Sequence, residues 1–211
     1  MKKINTRAIV EALTSAIVEH RLAPGEKLVE QRLADQFHVS RTLIRQALYQ
    51  LSEKYLIILQ PSRGAKVASP SVAEARQVFS VRRMLESGMV RAFISSATPE
   101  HIQTLKMHIL QEKAAVESND IRNRTELLGD FHVCMAQLMG NSVLAQLLSD
   151  LIARCTLVTL MYQSSAAAQH SHEEHAAILE AIEQHNIELA LERMDAHLCN
   201  VEKSLALDSR A

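Results

Sequence analysis

The chain has 211 residues, 47% of them hydrophobic, and a formal net charge of −1. That apolar content excludes wholesale disorder, and the length fits one large domain or two small ones at about 150 residues per domain. Five Gly, four Pro, no Trp and 3% aromatics disfavour a many-stranded sandwich or barrel and favour helices.

The net charge hides an asymmetry. Residues 1–70 hold 11 Lys and Arg against 6 Asp and Glu, whereas residues 71–211 hold 12 against 18. A basic first third joined to an acidic remainder points to two modules, the first meeting a polyanion. Residues Thr6 to His20 carry Ile9, Val10, Leu13, Ile17 and Val18 at helical spacing, and Leu22-Ala23-Pro24-Gly25 then signals a turn. A short helix follows from about Glu30 to Phe37. A third helix runs from Arg41 to about Lys54, with Ile44, Ala47, Leu48 and Leu51 on one face and Ser40 where an N-cap belongs. Ile57-Ile58-Leu59 and Ala65-Lys66-Val67 read as two short strands around a turn containing Pro61, Arg63 and Gly64.

Beyond Ala68-Ser69-Pro70-Ser71 the pattern is helical throughout, with helices expected near 72–96, 99–118, 122–139, 142–164, 171–185 and 187–206. Pro99 suits a first helical position. The fold is therefore expected to be mainly α. A winged helix-turn-helix with a β-hairpin wing spans residues 1–69, and an all-α bundle spans 72–207. After Met1-Lys2-Lys3 the chain is interrupted by Asn5, Arg7 and Glu11, so no signal peptide is read. The most apolar region, Val143 to Tyr162, contains Asp150 and Arg154, and no stretch is read as a membrane span. Cys134, Cys155 and Cys199 form no readable disulfide framework. The expectation is a cytoplasmic protein with no membrane partner.

Three helices and a hairpin with a tight turn before the third helix describe a DNA reader. A recognition helix meets base edges with its N-terminal residues, here Arg41, Thr42 and Arg45. Arg41 and Arg45, four apart, share a helix face, and Arg bonds guanine O6 and N7 in bidentate fashion. Ser40 caps the helix. Arg32 and Arg63 are candidates for phosphate or minor-groove contact, and Gly64 lets the wing backbone approach the duplex closely.

Several stretches resemble one family in order and spacing: Leu22-Ala-Pro-Gly-Glu-Lys-Leu28, Leu33-Ala34, Val39-Ser-Arg-Thr-Leu-Ile-Arg-Gln-Ala-Leu48, Arg63-Gly64 and Val67. They resemble the GntR family of bacterial repressors over residues 8–68. The resemblance implies that Arg32, Arg41, Thr42, Arg45 and Gly64 lie at DNA-contacting positions. The chain departs from the family pattern with Leu43 for Pro, Gln46 for Glu, and His38 and Tyr55 for Gly. His reaches positive φ more readily than most residues, so the turn at His38 is expected to survive.

The second module resembles the FCD ligand-binding domain of the FadR subgroup. The resemblance rests on Arg82-Arg-Met-Leu-Glu86, Asp130-Phe-His132, Gly140-Asn141-Ser142, Glu174-His175, Ile178-Leu-Glu-Ala-Ile182 and Ala190 through Leu198. His132, His175 and His197 lie on three separate expected helices, and neutral imidazole is a common transition-metal ligand. The resemblance implies that they converge on a divalent metal, Zn²⁺ or Ni²⁺. The family's fourth ligand, an Asp one turn before the first His, is replaced by Leu128, so either three imidazoles hold the metal or they bind an anion directly. Arg82 and Arg154 are charges on apolar helices, and by resemblance they face the cavity and clamp an acidic effector. Glu86, four residues after Arg82, offers the alternative of an intrahelical ion pair.

The expected function is a transcription regulator, a repressor by resemblance and not an enzyme. It acts as a homodimer on a double-stranded DNA operator under control of a small organic acid. Two alternatives stand beside it: a metal-dependent hydrolase with a His₃ site, and a DNA-binding protein without an effector.

Overall fold

Apolar stripes three and four residues apart set the first module. In the computed structural model, which describes residues 5–18, 21–60, 64–69, 71–162 and 164–205, α1 (Thr6–Val18) buries Ile9, Val10, Leu13 and Ile17. Two-residue β1 (Lys27–Leu28) leads into α2 (Glu30–Phe37), which buries Leu33 and Ala34. α3 (Arg41–Glu53) buries Ile44, Ala47, Leu48 and Leu51 against them. Each fully buried aliphatic side chain stabilises the fold by about 1.5–3 kcal/mol, which outweighs the modest helix propensity of these segments.

The turn between α2 and α3 has a local cause. His38 takes the left-handed conformation (φ 54), and the Val39 N–H then reaches the Ala34 carbonyl at 3.0 Å, closing the end of α2. Ser40 is extended, and its hydroxyl accepts from the Leu43 N–H, so α3 starts at Arg41. Tyr55 is also left-handed (φ 55) where α3 gives way to β2 (Ile57–Gln60). β3 (Gly64–Val67) starts at a glycine with φ 86, a conformation that a side chain would strain. The wing is a three-stranded antiparallel sheet in the order β1-β3-β2, with Leu28 opposite Ala65 and Ile58 opposite Lys66. Leu28, Ile57, Ala65 and Val67 are buried, whereas Ile58 is exposed.

The second module consists of α4 (Val72–Ser96), α5 (Pro99–Glu117), α6 (Ile121–Leu138), α7 (Ser142–Tyr162), α8 (Ser165–Glu183) and α9 (Ile187–Ser204). Side-chain caps start all six, from Ser71, Thr98, Asp120, Asn141, Ser164 and Asn186. α8 begins six residues earlier than its apolar spacing predicts, because Ser164 caps it. The core gathers Met89, Val90, Phe93, Leu105, Phe131, Met135, Leu148, Ile178, Met194 and Leu198. Two compact units emerge, one within residues 1–70 plus 156–161 and the other within 71–155 plus 162–211.

One expectation needs correction. Ser142–Thr159 of α7 is long and apolar enough to cross a membrane, with a mean hydropathy of 1.3, even though it carries Asp150 and Arg154. A buried core helix of a soluble protein can show the same length and hydropathy, but only 28% of this stretch is buried.

Candidate functional site

Two places gather chemistry. The first is an open groove of about 1120 Å³ within the first module, bordered by the start of α2, the first turns of α3 and the wing. Arg41, Thr42, Arg45 and Gly64 line it, so four of the residues singled out in the sequence come together. All four are exposed. α2 contributes Glu30 and Gln31 to the groove, while Arg32 is exposed but is not among the lining residues. Ser40 acts through its cap. Arg63 lies outside the described residues.

Neither guanidinium in the groove stands alone. Arg45 Nε donates to both oxygens of Glu30, at 2.9 and 2.8 Å, and Arg41 Nη2 donates to Oε2 at 3.1 Å. The hydrogen bond from Arg45, opposed by slight burial and assisted by Arg41, holds the Glu30 carboxyl below its ordinary value. The arginine side chains remain 55% and 63% exposed, whereas that of Glu30 is 21% exposed. The guanidinium groups therefore cover the carboxylate and leave their other N–H groups facing solvent.

The second place is a buried histidine cluster in the helical module. His132 on α6, His175 on α8 and His197 on α9 each offer a ring nitrogen within 4.8 Å of the other two. All three are at most 2% exposed. Every ring leans on a carboxylate through Nδ1. That of His132 lies 2.6 Å from Glu86 Oε2, that of His175 hydrogen-bonds Glu112 at 3.0 Å, and that of His197 hydrogen-bonds Glu174 at 2.8 Å. Phe131 stacks on His175 with centroids 4.1 Å apart and fixes its plane.

The electrostatics follow from burial. Desolvation pushes His132 down to about 4 against the pull of Glu86. Desolvation and the neighbouring His175 push His197 down to about 3, with Glu174 opposing. Burial resists ionisation of Glu86, but Arg82 and His132 outweigh it and hold the group at about 2. Burial likewise resists ionisation of Glu112 and Glu174, and their hydrogen-bonded histidines hold both below the usual carboxylate range. The result is neutral imidazole at His132 and His197 near pH 7, each ring set against an ionised carboxylate, a common arrangement behind metal-ligating histidines.

The spacing also fits a metal. His175 Nε2 and His197 Nε2 lie 3.2 Å apart. Two nitrogens bound at about 2.0–2.1 Å to one tetrahedral ion stand at about that separation. With both Nδ1 atoms turned to carboxylates, two lone pairs would face each other unless a proton or a cation lies between them. Leu128 packs in a small apolar cluster with Val116 and Ala168, so it leaves the donor set at three imidazoles.

Of the two arginines expected at an effector cavity, Arg82 is buried. Its Nε lies 2.7 Å from Glu86 Oε1, so the intrahelical pair forms and joins Arg82 through Glu86 to His132. Arg154 is not buried as expected. Its side chain is 44% exposed, with Nη1 3.6 Å from Glu74, because α7 turns this face outward. Glu30 and Glu112 were not legible as functional residues in the sequence. Glu112 sits one turn after His108, which lies 3.4 Å from it, and that i, i+4 pairing is the only local signal.

Residues 5–67 match the family described as bacterial regulatory proteins, gntR family, and residues 77–200 match the FCD domain. The chain belongs to the GntR family. It is 26% identical over 198 residues to the HTH-type transcriptional repressor RspR of Escherichia coli (strain K12), covering 93% of this chain and 87% of that protein. It is 26% identical over 208 residues to the HTH-type transcriptional regulator LutR of Bacillus subtilis (strain 168), covering 88% and 94%. Among solved structures, E. coli McbR/YncC superposes with a TM-score of 0.73 at 19% identity, covering 97% of this chain and 98% of that one, a likeness of fold alone. This GntR-family chain is a DNA-binding transcription regulator, and its family consists of regulators rather than enzymes. The hydrolase alternative is thereby set aside.

Proposed function

We propose that this GntR-family regulator represses transcription by binding a palindromic operator as a homodimer, with a small carboxylate metabolite releasing it. Arg41, Thr42 and Arg45 read base edges, the wing at Gly64 approaches the backbone, and Arg32 contacts phosphate. The observation that carries this reading is the groove in which the exposed N-terminal residues of α3 face the wing. RspR, a relative, is named a repressor, which supports the direction of control. The dimer rests on apolar side chains left uncovered in one chain. Val81 and Met84 on α4 and Val143 and Leu147 on α7 are 38%, 68%, 70% and 47% exposed. An apolar α7 covered by a second copy also accounts for its hydropathy without a membrane, in keeping with a cytoplasmic protein.

In the helical module, His132, His175 and His197 would hold Zn²⁺ or Ni²⁺. When bound, such a metal supplies a Lewis-acidic position for an anionic ligand. The chain's own residues orient the three rings through Glu86, Glu112 and Glu174, and Arg82 offers a guanidinium beside them for the metabolite's carboxylate. The test uses a duplex selected in vitro by the full-length protein. The paired substitutions R41A and R45A are expected to abolish the gel shift without changing the melting temperature, and unchanged affinity would refute the reading. Elemental analysis is expected to find about one metal per chain, and less in H175A. A protein without metal or any melting shift from organic acids would favour the reading without an effector.

A further inference from the structure

We infer that Glu30 sets the sequence specificity of this regulator by holding Arg41 and Arg45 in a base-reading pose and by weakening their hold on phosphate. The inference rests on the proposal that α3 reads the operator. Glu30 is the first residue of α2, and the extended Val29 before it provides no side-chain cap. Its carboxylate is the most enclosed group of the trio, and three hydrogen bonds of 3.1 Å or less tie it to the two arginines. Arg45 spends its Nε–H on Glu30. That leaves the end-on pair of Nη groups, the edge that matches the two acceptors of guanine.

The first consequence is order. A free surface arginine samples many rotamers, and immobilising it is a cost of binding. A side chain already anchored through Nε loses less freedom at the duplex, and it presents its fork in one direction. The second consequence is charge. Arg41, Arg45 and Glu30 together carry one positive charge rather than two. Sequence-independent attraction scales with the number of phosphates neutralised. A carboxylate in the groove therefore weakens binding to any duplex, whereas the aimed fork favours only duplexes with the right base. Glu30 lowers affinity overall and raises the ratio between correct and incorrect sites. This is discrimination by a repulsive element set beside an attractive one.

The experiment uses full-length wild type, E30Q and E30A. A duplex enriched from a random library by the wild type is compared with a shuffled duplex of equal length, by fluorescence anisotropy across a salt series. E30A is expected to bind the shuffled duplex several-fold more tightly and to lose about tenfold in the ratio of affinities. Its logarithmic salt slope on the shuffled duplex is expected to steepen by about one. E30Q keeps an acceptor without the charge, so it is expected to share the steeper slope while retaining part of the ratio. An unchanged ratio, or an equal loss on both duplexes with a native melting temperature, would overturn the role of Glu30. A wild type that enriches no sequence would instead refute operator reading itself, and the two failures are thereby distinct.

Discussion

The Arg82–Glu86 pair lends itself to a quantitative test. Glu86 is fully buried, the Arg82 side chain is 6% exposed, and they meet at 2.7 Å with His132 on the other carboxylate oxygen. Removing one member strands a charge in the core, at a cost of about 3–5 kcal/mol. E86Q keeps the volume of the side chain and removes only the charge, so it isolates this effect. At roughly 2–4 °C per kcal/mol for a chain of this size, its melting temperature is expected to fall by about 6–20 °C. The double substitution R82M/E86L removes both charges and leaves chiefly the His132 ring without its neighbour, a loss of about 1–3 kcal/mol. The double variant is thus expected to be more stable than either single one. The assay is thermal and chemical denaturation of chelator-treated protein followed by circular dichroism, with R82M, E86L, E86Q and the double variant. A double variant as unstable as the sum of its parts would refute the reasoning, as would an E86Q that costs less than about 1 kcal/mol.

Other consequences are as direct. H38G places glycine in a left-handed position now held by histidine and is expected to raise stability by about 1 kcal/mol, read from the denaturation midpoint. S40A removes the acceptor for the Leu43 N–H and is expected to cost about 1 kcal/mol and to fray the first turn of α3. Burial, opposed by Arg82, pushes the Cys155 thiol up to about 11 from an ordinary 9. Its folded-state thiolate is then about a hundredfold scarcer than in the unfolded chain, and iodoacetamide at pH 8.5 is expected to label Cys155 far more slowly in native protein. The same shift makes folding stability decline as pH rises from about 9 to 11, because only the unfolded chain loses this proton there.

Much of the fold was legible because it is local. The stripe Ile44, Ala47, Leu48 and Leu51 fixed α3, and Ser40 fixed its start. The left-handed turn at His38 was also readable, since His tolerates that conformation. β1 was not, because two residues carry no alternating pattern and their pairing is with a strand almost forty residues on. The early start of α8 was missed because Ala166, Ala167 and Ala168 show no apolar periodicity, although Ser164 could have marked it. The histidine trio was readable only through resemblance. Each carboxylate reaches its own histidine from a different helix, Glu86 to His132, Glu112 to His175 and Glu174 to His197, over separations that no sequence window spans. Glu30 escaped for the same reason, standing 11 and 15 residues from its arginines. Arg154 misled because an apolar helix suggests burial all round, whereas α7 leaves much of its surface uncovered.

The order β1-β3-β2 has a mechanical outcome. Both edges of the central strand are tied, one by the residues leading into α2 and the other by the chain leaving α3. The hairpin cannot hinge apart from the helices beside it without breaking those ladders. Any force that reaches this module must then carry helices and wing along as one stiff piece, leaving the letters it can read unchanged.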